Sequence, residues 1–436
     1  MTAVLDPTAG VGLAEGAVER AVAAGADAAQ VSHTFSEQFE ITYDNEEVGL
    51  VRTTVDDTVS ITVFVGGRKG QSSLTGRSPD LVQKAVGEAV AAARAGVEDP
   101  ANRLAEGPST ERRELGDREP DREAMLDTAL RHIAYMAEHY PKVIIRDSTY
   151  QFGNQWRSYA SSVGRSHQER RSGYTATSIF SGKDGERTTS FNFTSATSVE
   201  PFAELIDVAT MLSLLDATLQ SFDPRPVPET FTGDVIFTPD SLGNLVAPLM
   251  DAIGGYSIMR GTSPFADSLG EAIAHPALTI GNRPCSPEFP LAARFDGNGV
   301  PAQDLAVITD GVLENHLIDW YVSNKLDRPM TAGVTSFDVA PGDQTFDEIV
   351  AGTERGIVLG RFSGGRPNQK LDFSGVAKNS FYVEDGEIRH PIHETMIAGN
   401  LAELLKDIRA VGSESVNYGG HSYPAVAAGG VTISRK

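Results

Sequence analysis

The sequence predicts an α+β fold of mixed, mainly antiparallel sheets with flanking helices, in which N-terminal α/β units precede a β-rich C-terminal domain. Three observations lead there. Apolar residues alternate in runs that end on tight-turn residues, helically spaced stripes flank those runs, and two proline-rich stretches interrupt the chain.

An amphipathic helix opens the fold over 12–27, where Val18, Ala21 and Val22 recur at helical spacing and Gly25 can close it. Over 30–75 the period becomes two. Phe39-Glu40-Ile41-Thr42-Tyr43, Val48-Gly49-Leu50-Val51 and Val59-Ser60-Ile61-Thr62-Val63-Phe64-Val65 are broken by Asp44-Asn45 and Gly66-Gly67, the pattern of antiparallel strands joined by tight turns. Ser78-Pro79-Asp80 starts a helix with a capping hydroxyl, a proline in the first turn and an acid at the positive end. Its buried stripe is Leu81, Val82, Ala85, Val86, Ala89, Val90 and Ala93, and Gly96 ends it.

These elements make an N-terminal α+β domain over 1–97. Residues 98–120, charged and carrying Pro100, Pro108 and Pro120, read as a solvated linker. A middle α+β domain over 121–222 has a helix closed by Pro141, β-type runs at Val143-Ile144-Ile145, Tyr174 to Phe180 and Ser190 to Thr194, and a long helix over 201–222. Asp223-Pro224-Arg225-Pro226-Val227-Pro228 makes 223–229 a stiff second linker. The C-terminal domain, 230–436, begins with Asp234-Val235-Ile236-Phe237, turns at Thr238-Pro239-Asp240 into a helix over 241–253, and has hairpin turns at Asp310-Gly311 and Asp385-Gly386. A helix over 398–411 and the strand Val431-Thr432-Ile433 complete it.

The 436 residues carry 37 Lys+Arg against 59 Asp+Glu, a net charge of −22 and a pI near 4.8. A nucleic-acid partner bound by phosphate neutralisation needs a concentrated basic face, so that class is excluded. No basic start with an apolar stretch follows Met1, and no run approaches the ~18 apolar residues of a membrane helix, so neither a membrane nor export is expected. Cys285 is the sole cysteine, which excludes an internal disulfide framework and a cysteine-based zinc cluster; a reducing, cytoplasmic location fits.

Candidate chemistry is sparse. No HExxH, HExxxH or HxxEH string occurs, and His390-Pro391-Ile392-His393-Glu394 lies in a β-like run where positions three apart point to opposite faces. Cys285 with His275 or His316 has no local support as a nucleophile and base. Asp296-Gly297-Asn298-Gly299 starts like a calcium loop but lacks the acid series, and reads as a turn. Neither Gly66-Gly67-Arg68-Lys69-Gly70 nor Gly364-Gly365-Arg366-Pro367-Asn368 has nucleotide-binding spacing, though the latter permits close backbone approach to a peptide or partner. Asn192-Phe193-Thr194 matches a glycosylation acceptor that an unexported chain does not use.

The order of several stretches resembles the TldD/PmbA (TldE) family, known as modulators of gyrase and as subunits of a heterodimeric metalloprotease. They are Thr232-Gly233-Asp234-Val235-Ile236-Phe237-Thr238-Pro239, the run from Arg260 to Gly270, Asp296-Gly297 with Gly299-Val300-Pro301, Phe381 to Ile388, Pro391, and Ile397-Ala398-Gly399-Asn400-Leu401. TldD-type subunits carry HExxxH on one helix and a C-terminal cysteine, and TldE-type subunits lack both. Counting back from Gly261-Thr262-Ser263 places those slots at Val246, Ala247 and Asp251, and no cysteine occurs after Val416.

The resemblance thus implies a metal-free, TldE-like subunit, catalytically inactive alone, with no cofactor of its own. It implies a TldD-like HExxxH partner that holds zinc, in a heterodimer or heterotetramer that cleaves short or unfolded peptides. A relic cleft with Gly364, Gly365, Asn368, Asp372, Ser374 and Asn379 is then the expected contact for peptide or partner. The alternative is a homo-oligomeric peptide or small-ligand binding protein without catalysis.

Overall fold

A computed structural model describes residues 10–435; the start Met1 to Pro7 and Lys436 lie outside these. The first half builds one sheet from β1 (Ala28–Tyr43), β2 (Val48–Val65), β3 (Arg68–Thr75), β4 (Ser109–Leu115), β5 (Val143–Ser161), β6 (Arg165–Asp184), β7 (Arg187–Thr188) and β8 (Asn192–Ser198). The order is β3-β2-β1-β5-β6-β4, antiparallel except for β4 on β6, with β7 and β8 also on β6. Helices α1 (Gly10–Ala23), α2 (Pro79–Ala95), α3 (Arg122–His139) and α4 (Met211–Gln220) accompany it. Odd-numbered residues of β1 such as Val31, Phe39 and Ile41 are buried with α1 to α4, whereas the alternate Ser32, Thr34, Ser36 and Gln38 are not, as the period of two requires.

The second half contains β9 (Phe231–Phe237), α5 (Pro239–Ala252), α6 (Gly255–Met259), β10 (Ile280–Asn282), β11 (Leu305–Thr309), β12 (Val312–Leu313), α7 (Trp320–Leu326) and β13 (Phe337–Val339). It continues through α8 (Phe346–Ala351), β14 (Arg355–Leu359), β15 (Arg361–Ser363), β16 (Asp372–Lys378), β17 (Phe381–Glu384), β18 (Glu387–Pro391), β19 (Thr395–Asn400), α9 (Leu401–Lys406), β20 (Ile408–Asn417) and β21 (Ser422–Ser434). The main path is β12-β11-β10-β13-β21-β9-β14-β17-β18, and a branch β15-β16-β19 joins at β21. The fold is therefore α+β with mostly antiparallel sheets. Among the described residues no helix is long and apolar enough to cross a membrane.

Several expectations change. Residues 98–120 are not a simple spacer: Ser109–Leu115 is β4, and its Arg113 pairs with buried Glu169 at 3.4 Å, so charge here serves contact as well as solvation. Strands from 1–97 and 121–222 consequently share one sheet. The 223–229 segment is held along residues 391–393, with Arg225 N–H donating to the Pro391 carbonyl at 2.9 Å, and Val227 is buried. The helix expected over 201–222 is reduced to a 3₁₀ turn, Leu205–Asp207, and α4, because Ala209 takes a left-handed φ of 47° between them. The helix expected over 398–411 is the six-residue α9 between strands, capped by the Asn400 side chain. Leu81 is exposed, unlike the rest of the α2 stripe.

Candidate functional site

Helix α5 begins after the extended residue Thr238 with Pro239 in its first turn. Ser241, Leu242, Leu245, Val246, Leu249 and Met250 form its buried side. Asn244, Ala247, Pro248 and Asp251, at spacings of three and four, face away from it. Pro248 lacks an N–H, so the Asn244 carbonyl loses its i+4 helical donor. Of the three positions inferred for a lost metal site, Ala247 and Asp251 lie on the exposed side, whereas Val246 is 1% exposed and packs in the core. A ligand at 246 would point inward; the outward positions are those named here.

α5 packs against β15, a three-residue strand that pairs with β16 alone among the described residues. An apolar recess at this junction is lined by Leu245, Phe362, Phe373, Ile397 and Leu401, and the Phe362 and Phe373 rings meet edge-on at 6.1 Å. It adjoins, through Pro367, a cavity of about 150 Å³ bounded by Pro248, Asp251, Thr262, Arg366 and Asn368.

The loop after β15 is built for close approach. Gly365 has φ of 67° and lies so near the Ser374 carbonyl that a Cβ would collide with it, while Gly364, φ 75°, faces open space. Arg366 then reaches across the cavity to pair with Asp251. Asn368 Oδ1 accepts from the Lys370 N–H at 2.8 Å and the Asp372 N–H at 3.1 Å. Asn400 Nδ2 donates to Asp372 at 2.8 Å. The Asn400 and Asn368 amides beside Asp372 hold its carboxyl below the usual carboxylate range. Gly364, Gly365, Asn368 and Asp372 thus share one loop with Ser374 beneath it. Asn379 does not join them: its Nδ2 donates to the Phe191 carbonyl at 2.7 Å, tying the β16–β17 turn to the first sheet.

Sequence reasoning missed Asn244, Phe362 and Phe373, and met Arg366 and Asn400 only as members of longer runs, without a role for their side chains. The helical period already placed Asn244 on the face of Ala247 and Asp251; the two phenylalanines come together only through β15–β16 pairing. The other candidates stay apart. Cys285 Sγ bonds the Ala302 carbonyl, buried His316 bonds the Phe265 carbonyl, and His275 accepts from Ala277. His390 packs on Tyr382, and Asp296 accepts two backbone N–H bonds within its own turn.

Zinc requires three or more converging N, S or O ligands. Among the described residues no group of three His, Cys, Asp or Glu converges in that way. The cleft itself offers two carboxylates, Asp251 already paired with Arg366 and Asp372 held by the Asn400 and Asn368 amides, and an Asn244 amide turned back to the Ser241 carbonyl at 2.8 Å. This donor set does not fit zinc.

A helix beside a short outer strand, with an apolar recess between them, defines the cleft. Residues 230–435 match the PmbA/TldA metallopeptidase C-terminal domain and residues 29–93 match PmbA/TldA metallopeptidase domain 1. The chain belongs to the PmbA/TldD metallopeptidase family. It is 26% identical to metalloprotease PmbA of Escherichia coli O157:H7, over 89% of this chain and 88% of that one. Its fold matches TldE from Thermococcus kodakarensis with a TM-score of 0.84 at 18% identity, covering 97% and 100% of the two chains. A candidate modulator of DNA gyrase from Bacteroides thetaiotaomicron superposes with a TM-score of 0.86 at 21% identity, covering 98% of each.

Proposed function

We infer that this chain is the non-catalytic, TldE/PmbA-like subunit of a two-chain zinc metalloprotease that cleaves short or unfolded peptides, with zinc and the catalytic glutamate on a TldD-like HExxxH partner. The observation that carries this reading is the outward side of α5. The slots that the resemblance implies, Val246, Ala247 and Asp251, hold neither histidine nor glutamate, and of the two that face outward Ala247 has no ligand atom and Asp251 is paired with Arg366. What the cleft retains suits holding a substrate. The free side of β15 offers backbone donors and acceptors to an extended chain, and the recess at Phe362 and Phe373 accepts an apolar side chain.

The test is to co-express this chain with an HExxxH homologue from the same source and compare unfolded-peptide hydrolysis by each chain and by the pair. Hydrolysis is expected only from the pair, abolished by a chelator and by alanine in place of the partner's HExxxH glutamate. Chelator-resistant hydrolysis by this chain alone would overturn the reading, as would a partner that is fully active without binding it.

A further inference from the structure

The outer strand of the first sheet is only half covered. β3 pairs with β2 from Thr58 to Val65, and among the described residues no strand pairs with the outer side of 49–56. Every residue of this stretch is exposed, including Leu50 at 43%, Val51 at 51% and Val55 at 50%. Its inner side runs in continuous register with β1, from Gln38↔Thr54 through Thr42↔Leu50, so the backbone is extended and firmly presented. Alternate residues of such a strand point their N–H and C=O groups outward. Edges of this kind are ordinarily blunted by proline, lysine, a bulge or a covering element. Gly49-Leu50-Val51-Arg52-Thr53-Thr54-Val55-Asp56 contains neither proline nor lysine, the register irregularity falls only at its first residue, where Gly49 is skipped between Thr42↔Leu50 and Tyr43↔Val48, and the α2 core covers β2 only further along, at Val59, Ile61 and Val63.

We propose that this edge pairs with the same edge of a second copy of the chain, antiparallel about a two-fold axis at Thr53, joining two first sheets into one. The segment is self-complementary in that register. Val51 lies opposite Val55 of the other copy, and Thr53 opposite itself, so three β-branched residues from each chain form one row on the side of Phe39 and Ile41. On the reverse side Arg52 lies diagonal to Asp56 of the other copy, and its guanidinium, which already pairs with Glu40 at 3.0 Å, has donors for both. Moving the axis to Thr54 separates Val51 from Val55 and sets Val51 opposite Asp57, a carboxylate held by buried His33 at 2.7 Å, whereas the axis at Thr53 keeps the two valines paired at the centre and leaves Leu50 opposite Asp56 only at the ends of the segment.

The experiment uses the full chain in a Cys285→Ser background. Thr53→Cys places two thiols opposite each other across the axis, and Val97→Cys, 87% exposed and remote from the edge, is the control. Mild oxidation should convert the first to a covalent dimer and leave the second monomeric. Sedimentation over a concentration series should show a dimer for the parent and a monomer for the double variant Val51→Lys, Val55→Lys, whose fold is checked by circular dichroism and whose lysines stand side by side across the axis. A monomeric parent, a dimer that survives the two lysines, or Thr53→Cys cross-linking no faster than Val97→Cys would each overturn the proposal. None of these readouts involves the partner subunit or peptide cleavage, so their failure is separate from failure of the subunit reading.

Discussion

The turn at Asp296 and the cleft on α5 belong to the same half of the chain, yet they treat polar groups in opposite ways. At the turn the backbone carbonyls are met by side chains of the first sheet. Arg157, from β5 of the first sheet, donates to the Phe295 carbonyl at 2.8 Å and the Asp296 carbonyl at 2.7 Å while lying 4.5 Å from the Phe295 ring centre. Arg165 donates to the Gly299 carbonyl at 2.8 Å, and Tyr159 to that of Asn298 at 2.8 Å. At the cleft the charged pair Asp251–Arg366 is more than half exposed on both sides, and the Gly364 backbone faces open space. The turn is a seam that fixes one half of the molecule on the other. The cleft leaves its charged pair and one glycine at the surface.

The largest expected effect comes from breaking the seam. Arg157→Ala takes the guanidinium donor from the Phe295 carbonyl, leaves the Asp296 carbonyl with only the Gly299 N–H at 3.3 Å, and removes the cation from the Phe295 ring, so unfolding by urea should show a loss of about 3 kcal/mol. Arg366→Ala removes an exposed pair and should change stability by no more than about 0.5 kcal/mol. Equal losses from the two would erase the distinction between seam and cleft.

A smaller effect separates two glycines of nearly equal backbone conformation. Gly299 has φ of 68° with the Tyr159 ring where a Cβ would go, whereas Gly364 has φ of 75° and no neighbour within 4 Å. Gly364→Ala carries the cost of a left-handed alanine, about 1 kcal/mol, and Gly299→Ala adds the displacement of a buried tyrosine, so it should cost at least about 2 kcal/mol. Thermal melts of the two variants check the order, and Gly364→Ala as the more damaging change would refute it.

The same contrast explains what was legible in the sequence. Turns at Asp44-Asn45 and Gly66-Gly67, the Ser78-Pro79 helix start and the alternation within β1 are local signals, and each marks a real boundary. β4 was hidden because Glu111, Arg112, Arg113 and Glu114 look like a solvated run until β6 brings Glu169 to Arg113. α9 was overextended because Leu401, Leu404 and Leu405 carry a helical period that Ile408 and Val411 continue by chance into a strand. At the site, the loop glycines were legible as points of close approach. The inward direction of Val246, and the distance of Asn379 from the loop, depend on how α5 and the β16–β17 turn dock on the rest of the chain.

The finest test of the contrast is titration, because the two regions move aspartates in opposite directions. Asp296 is buried, and that burial raises its carboxyl above the usual range despite the N–H donors of Val300 and Asn298 and the nearby Arg157. Asp372, exposed at the cleft, is lowered by the Asn400 and Asn368 amides. The signs for stability follow from linkage. A carboxyl raised in the folded state binds its proton more tightly there than in the unfolded chain, so Asp296 contributes stability below its unfolded pKa that is lost as pH rises through the folded value. A lowered carboxyl does the reverse: the contribution of Asp372 is present above its unfolded pKa and lost as pH falls through the folded value. Carboxyl-carbon NMR of the folded chain should show Asp296 titrating above, and Asp372 below, an unstructured aspartate. In Asn400→Ala the Asp372 midpoint should move back up while that of Asp296 stays fixed. If both aspartates titrate on the same side of the reference, burial and hydrogen bonding do not divide the two regions as the geometry requires.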